Sequence, residues 1–488
     1  DKKKGCTYAN NTLACDSDGS ACTADVCKGG KCTAGAAKSC DDNKACTTDS
    51  CDKKTGKCTH DSKANDGKAC SDGDACTDKD TCKGGKCTAG GAGQVVDVFV
   101  ARRGVMKGYA FAALKKDGSV VTWGNEGFGG GSCVYDQVNK TCASVADQLK
   151  SGVTKLFGSH NALAAVKTDG SVVTWGLSNA GGDSSKVANK LKSGVSKIVG
   201  NQGVLAALKA DGSVVTWGSA DHGGDSSKVA GQLKSGVSKL YATAYAFSAL
   251  KEDGTIVTWG YFPGPKSEPL SQKNNSGFVA VATNDYAFAG LKKDGSIVTW
   301  GEKQYGGAIA VCENSSKCQT SVAVKLKSGV VKVFANQQAF AALKKDGSVA
   351  SWGNKSSGGG GCIQPGVGKC VSVADKLKSG VVKVFASEDA FAALKQDGSV
   401  VAWGMESSGG GLRVVSNVGQ GPSVAKQLQS GVVDIFANRY AFAALKKDGS
   451  VVTWGRDNSG GDKAVYRYMK VNNQSKPVKF KSISAELQ

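Results

Sequence analysis

The chain has 488 residues, 40% of them apolar, and a formal charge of +20. No run approaches the ~18 consecutive apolar residues of a membrane-crossing helix, so a helical span is not expected. The positive charge is nearly all lysine, and the scarcity of arginine, whose planar fork reads base edges, argues against a sequence-specific nucleic-acid reader.

At the amino terminus, Asp1-Lys2-Lys3-Lys4 has no apolar signal-peptide core behind it, and the chain reads as a mature form or a segment of something longer. Residues 1–94 hold 13 of the 19 cysteines and balance 15 lysines against 14 aspartates, which leaves +19 to the remainder. Dense cysteine with little apolar content implies cross-links in place of a core and an oxidising compartment, hence an extracellular, secreted or cell-surface protein. The Asn-X-Ser/Thr sequons agree and give the glycosylation candidates Asn10, Asn139, Asn274, Asn314, Asn354 and Asn473.

Three four-cysteine units align in this arm: Cys15, Cys22, Cys27, Cys32; Cys40, Cys46, Cys51, Cys58; and Cys70, Cys76, Cys82, Cys87. Two disulfides per unit are expected, in an order that the spacing leaves open. Structural zinc is not expected, because Cys-X-X-Cys pairs are absent and histidine is scarce. Cys6 is left over. Its context, Lys4-Gly5-Cys6-Thr7, matches Gly30-Lys31-Cys32-Thr33 and Gly56-Lys57-Cys58-Thr59 at the end of a unit in its Gly, Lys and Cys-Thr, so its partner is expected upstream in a longer precursor or on another molecule. Asp16-Ser17-Asp18-Gly19 and Asp72-Gly73-Asp74 are either calcium ligands or Asp-capped turns, and no other cofactor is expected. The strings Cys22-Thr23-Ala24-Asp25 and Cys46-Thr47-Thr48-Asp49 resemble the Cys-Thr-X-Asp-X-Cys repeats of slime-mould extracellular-matrix proteins and of other secreted multi-repeat proteins.

Thr88-Ala89-Gly90-Gly91-Ala92-Gly93-Gln94 is small and flexible, and marks a boundary between a cysteine-rich arm, 1–94, and a repeated domain, 95–488. All 8 tryptophans fall in the second part, each followed by glycine, at Trp123, Trp175, Trp217, Trp259, Trp300, Trp352, Trp403 and Trp454. A spacing of 41 to 52 residues points to a blade or solenoid unit. Within one unit, 381–386, 390–395 and 399–403 read as strands, the last two joined at Asp397-Gly398, a strong hairpin signal. Ser372 to Gly380 would form either a short helical turn or an irregular outer strand.

Ala-Leu-Lys-X-Asp-Gly-Ser-Val followed by Trp-Gly and a glycine-rich turn resembles the repeat of the regulator of chromosome condensation superfamily of β-propellers. The resemblance implies an all-β fold. Eight hairpins give eight blades, with seven blades and an overlapping closure as the alternative, and Phe480 to Ala485 imitates the opening of a further unit. The family's Gly-X-X-His-Ser segment is replaced by Asn336-Gln337-Gln338-Ala339-Phe340 and its equivalents. The family's exchange-factor activity on a small GTPase is therefore not expected here, and disulfides and sequons argue for another compartment.

Three longer units carry cysteine pairs, Cys133 with Cys142, Cys312 with Cys318 and Cys362 with Cys370, which would staple projecting loops. The unit between Trp259 and Trp300 is divergent, with Pro263, Pro265 and Pro269. His60, His160 and His222 fall in dissimilar contexts, and no catalytic motif is present, so no catalytic residue is named and an enzyme is not expected. The expectation is a structural or assembly protein of an extracellular filament, coat or matrix, partnered by itself or by other extracellular proteins. The alternative is a recognition module binding a glycan, a polyanion or a protein through the stapled loops, with acidic glycans among the partners it would take.

Overall fold

A computed structural model describes residues 17–461, apart from 29–30, 72–76, 79, 89–90, 93, 103–108, 263–269, 271–274, 310, 315–316, 320–322, 366–369 and 417–418. The chain forms two compact units, 1–96 with 115–117, and 97–114 with 118–488. Cys6, Cys15, Cys76, Asn10, Asn274, Asn473, the three prolines and Phe480 to Ala485 lie outside the described residues.

The arm consists of short antiparallel hairpins, such as Thr48–Cys51 with Cys58–Asp61 and Thr81–Lys83 with Lys86–Thr88. Its buried apolar side chains among the described residues are Cys46 and Cys82, so the cross-links take the place of a core. Their pattern corrects the expectation of two disulfides per unit. Cys40–Cys58 and Cys70–Cys87 join the first and fourth cysteines of one unit, whereas Cys22–Cys51 and Cys46–Cys82 join the second cysteine of one unit to the third of the next. Cys27 and Cys32 are also disulfide-bonded.

The second unit is an all-β propeller. Eight antiparallel sheets with three core strands each follow one another along the described chain. In the sheet of Val330–Ala335, Ala339–Lys344 and Val349–Asn354, the middle strand is buried on both faces, because alternate residues serve opposite neighbours. Phe340 lies directly across from Trp352, stacked at 5.3 Å, and both point to the preceding sheet. Ala339, Ala341 and Leu343 face the following sheet and meet Phe391 and Trp403 there.

The glycines after each tryptophan have two separate reasons. Gly353 has φ +102°, and a Cβ there would come within 2.9 Å of the Ala339 Cα. Gly306 has φ +100°, and its carbonyl accepts the Trp352 indole N–H of the next sheet at 3.2 Å. Trp175, Trp217, Trp259 and Trp454 make the same bond to Gly129, Gly181, Gly223 and Gly409. Trp300 Nε1 and Trp403 Nε1 are buried without a hydrogen-bond partner among the described residues.

The Ser-Val-Ala element resolves as a helical turn. Ala374–Leu377 is a 3-10 turn whose first N–H is accepted by Ser372 Oγ, and Val373 and Leu377 enter the core beside Trp403. Seven buried clusters join consecutive sheets from the first to the eighth. Among the described residues no such cluster joins the eighth to the first. Trp123 is accordingly 45% exposed, and Phe436 and Val451 on the last sheet are 44% and 39% exposed.

From the second sheet to the eighth the Asp-Gly turn is closed by its aspartate: Asp346 Oδ1 accepts from Ser348 N and Oγ, and Gly347 N–H returns to the Lys344 carbonyl. Hydrogen bonds from the following hydroxyl and N–H hold Asp169, Asp211, Asp253, Asp294, Asp346, Asp397 and Asp448 below the ordinary carboxylate value. A depressed folded-state pKa gives stability that is present above the unfolded value of 3.8 and is lost as pH falls through the folded value. The melting midpoint should therefore drop steeply in acid below that value. A variant with Asn at these positions should show a flatter acid limb in scanning calorimetry.

Candidate functional site

The three-residue segments between the first and second strands converge on one cavity. Their first residue is small and polar and is fixed from inside. Asn336 Oδ1 accepts from the N–H groups of Gln338 and Ala339, while its Nδ2 donates to the Ser357 carbonyl at 2.6 Å. Asn201, Asn284, Ser387 and Asn438 repeat this with the carbonyls of His222, Tyr305, Ser408 and Ser459. A bond from that side chain to the chain after Trp-Gly pins each segment to its own sheet.

The segments are also bonded to one another. Backbone N–H groups of His160, Gln202, Ala244, Asp285, Gln337 and Glu388 donate to the carbonyls of Asn201, Ala244, Asp285, Gln337, Glu388 and Arg439, at 2.9 to 3.3 Å. This run links seven successive sheets. It borders a cavity of about 1840 Å³ whose walls also include Val100 and Phe111 of the first sheet.

One stretch of wall is aromatic. His222 stacks on Tyr245 at 5.1 Å, Tyr245 lies 6.1 Å from Tyr286, and Tyr286 stacks on Tyr305 at 4.5 Å. Burial pushes the Tyr286 and Tyr305 phenols above their ordinary value. Beside them lies a charged group. Arg439 grips Glu388 through both Nε and Nη2, at 2.7 and 2.5 Å. Asp389 accepts from Ser357 Oγ at 2.9 Å, and burial raises its carboxyl above the ordinary range. Asp285 is raised by burial first, against a hydrogen bond from the Gln337 side chain, with repulsion from Glu388 and Asp389 adding to the rise.

Reading the sequence did not find this site, and two of its statements change. His160 occupies the segment Ser159-His160-Asn161, so one histidine does stand where the Asn336 copy has none. His160 and His222, in unlike sequence contexts, line the same cavity, while His60 lies in the arm, where its Nδ1 pairs with Asp49 at 2.7 Å. The usable signal was variation. Amid near-identical strands, the middle residue of the segment runs His160, Gln202, Ala244, Asp285, Gln337, Glu388, Arg439.

The stapled segments are hairpins that extend a sheet. Cys133–Asp136 and Thr141–Ser144 pair with each other, and Val134 runs parallel to Gly176 of the next sheet. Val311–Asn314, Cys362–Gln364 and Arg413–Ser416 join Gly353, Gly404 and Gly455 in the same way. Cys133 is bonded to Cys142 and Cys362 to Cys370, and Cys312 sits in register with Cys318. Backbone pairing with the open edge strand accounts for the extra residues as sheet. Asn139 is exposed at a hairpin tip, whereas Asn354 is half-buried and caps the N–H groups of Ser356 and Ser357.

Among the described residues of the arm, Asp18 and Asp25 accept hydrogen bonds within turns. Asp25 accepts from Ser17 N and Oγ and from Gly35 N, which holds it down at about 2, and Asp18 accepts from Ser20 N and Thr23 Oγ1. A carboxylate oxygen of Asp42, one of Asp49 and a ring nitrogen of His60 lie within 4.8 Å of one another, with Asp42 bonded to Thr47 and Lys44. Asp72 to Asp74 lie outside the described residues.

No protein family and no curated protein matches the chain. Similar solved structures include Prp20p from Saccharomyces cerevisiae, reported with its binding to Gsp1p and histones. It is 17% identical over 73% of this chain and 82% of that one, at a TM-score of 0.36. Human WBSCR16 is 13% identical over 72% of this chain and 99% of that one, at a TM-score of 0.35. The ectodomain of the Physcomitrella patens receptor kinase CR4 is 14% identical over 62% and 73%, at a TM-score of 0.31.

Proposed function

We propose that the protein is an extracellular recognition protein, a binding domain and not an enzyme, whose propeller takes its ligand in the cavity bordered by the first-to-second-strand segments. The observation that carries this reading is the contrast between invariant packing and varied lining. Strands and tryptophans repeat with little change, while the positions facing one large, polar and aromatic cavity differ from sheet to sheet. The disulfides fit an oxidising, extracellular setting. In this reading the stapled hairpins, whose strands extend the sheets, serve the fold before the ligand.

The test is an array of glycans and peptides probed with full-length protein. Gln337→Trp, which fills the cavity, should abolish the signals, and a variant shortened at 137–140 should keep them. The reverse pattern would return the site to the hairpins.

A second reading, a building block of an extracellular filament, coat or matrix, is supported by the exposure, among the described residues, of Trp123 on the first sheet and of Phe436 and Val451 on the last. Each stands on the kind of face that the other sheets bury against a neighbour, and head-to-tail contacts of this sort propagate where they do not close. Sedimentation at rising concentration tests it: Trp123→Ser should reduce any self-association, and a monomer at all concentrations counts against the reading.

A further inference from the structure

We infer that the cavity binds an uncharged, hydroxyl-rich chain, a neutral oligosaccharide, held between the Tyr245–Tyr286 wall and the polar groups of Asn161, Asp285 and Gln337. This rests on the cavity being the recognition site.

The aromatic wall is not a packing requirement. Tyr245 and Tyr286 occupy the position held by Asn161, Gly203, Gln338 and Asp389 in other sheets, and they are half-buried where the structural Trp and Phe residues are sealed. Flat rings open to a cavity take the C–H faces of sugar rings, burying apolar area while their phenol tips stay wet.

The polar groups call for a ligand that both donates and accepts. Asn161 Nδ2 donates to the Gln202 carbonyl at 3.0 Å, but its Oδ1 is buried and has no hydrogen-bond partner among the described residues. A buried acceptor left unmade costs stability, and a ligand hydroxyl would satisfy it. The Gln337 side chain donates to Asp285 on the neighbouring segment, and the bonded pair still has carboxylate lone pairs, an amide carbonyl and a second amide N–H to offer adjacent hydroxyls.

Charge decides against a polyanion in this place. Arg439 is held in a two-point pair with Glu388, and Asp285 and Asp389 stand near enough to repel one another. An anionic sugar would meet these carboxylates with the guanidinium already committed. A compact cation is disfavoured for the complementary reason, since Gln337, Ser357 and Arg439 already donate to the acids. Lys186 also lines the cavity, and the cations of the wall, Lys186 and Arg439, are outnumbered by Asp183, Asp285 and Glu388.

The experiment is calorimetric titration of the full chain with neutral tetra- to hexasaccharides built on glucose, galactose, mannose or N-acetylglucosamine, with a sulfated oligosaccharide alongside. At least one neutral member should bind, with affinity changing little between about 0.05 and about 0.5 M salt. Tyr286→Ala and Asp285→Ala should each weaken it ~10-fold or more with the melting midpoint kept, and Tyr286→Phe should restore it. Binding of the sulfated chain alone, lost with salt and sensitive to Gln337→Trp, would overturn the ligand class while leaving the cavity as the site. Binding unmoved by Tyr286→Ala, Asp285→Ala and Gln337→Trp would overturn both. No binding of any neutral chain at about 1 mM would overturn the inference.

Discussion

Trp352→Ala should lower the propeller's melting midpoint by about 5 °C or more, while Trp123→Ala leaves it nearly unmoved. The two residues share the same sequence context, each before glycine and after an Asp-Gly-Ser turn. Trp352 is fully buried, stacks on Phe340 and donates its N–H to Gly306. Its loss opens a cavity between two sheets and orphans a carbonyl, at a cost of ~3–5 kcal/mol. Trp123 stacks on Phe111 at 5.2 Å, yet 45% of it is exposed, so its removal should stay within about 1 kcal/mol. Scanning calorimetry on the two variants checks this. Equal losses would mean that the first sheet is covered as fully as the sixth.

Cys46→Ser should unfold the arm and leave the propeller melting as before. Cys46 and Cys82 are the buried apolar pair of the described arm, and their bond closes a separation of 36 residues. Releasing a loop of that size from its cross-link costs ~4 kcal/mol in the chain-entropy account, more than hairpins of three or four residues can replace. Trypsin should then cut among the arm's lysines and spare the propeller, as read by intact mass. An arm that resists trypsin after Cys46→Ser would show a source of stability other than the cross-links.

The propeller was legible because each of its parts has a local cause. Trp352-Gly353 states both the packing residue and the positive φ that follows it, and Asp346-Gly347 states the hairpin. The disulfide order was not legible, because Cys46 is as close in sequence to partners within its own unit as Cys40 is, and only the fold brings it to Cys82. The cavity was missed for a related reason. Its lining comes from single positions 41 to 52 residues apart, and comparison through the Asn336 copy alone passed over His160. The hairpin of Cys133 to Ser144 was read as a projecting loop because its pairing partner, Gly176, belongs to the following unit.

The linkage of second to third cysteines gives the arm a mechanical property. Along the backbone, Cys22 and Cys82 are 60 residues apart, which fully drawn out is roughly 200 Å. Through Cys22–Cys51 and Cys46–Cys82 the covalent path crosses only the chain from Cys46 to Cys51, roughly 17 Å of backbone between two bridges. Under load the arm therefore has almost no slack to release. It behaves as a short tether of nearly fixed length, and a pulling experiment should record a long extension only after reduction.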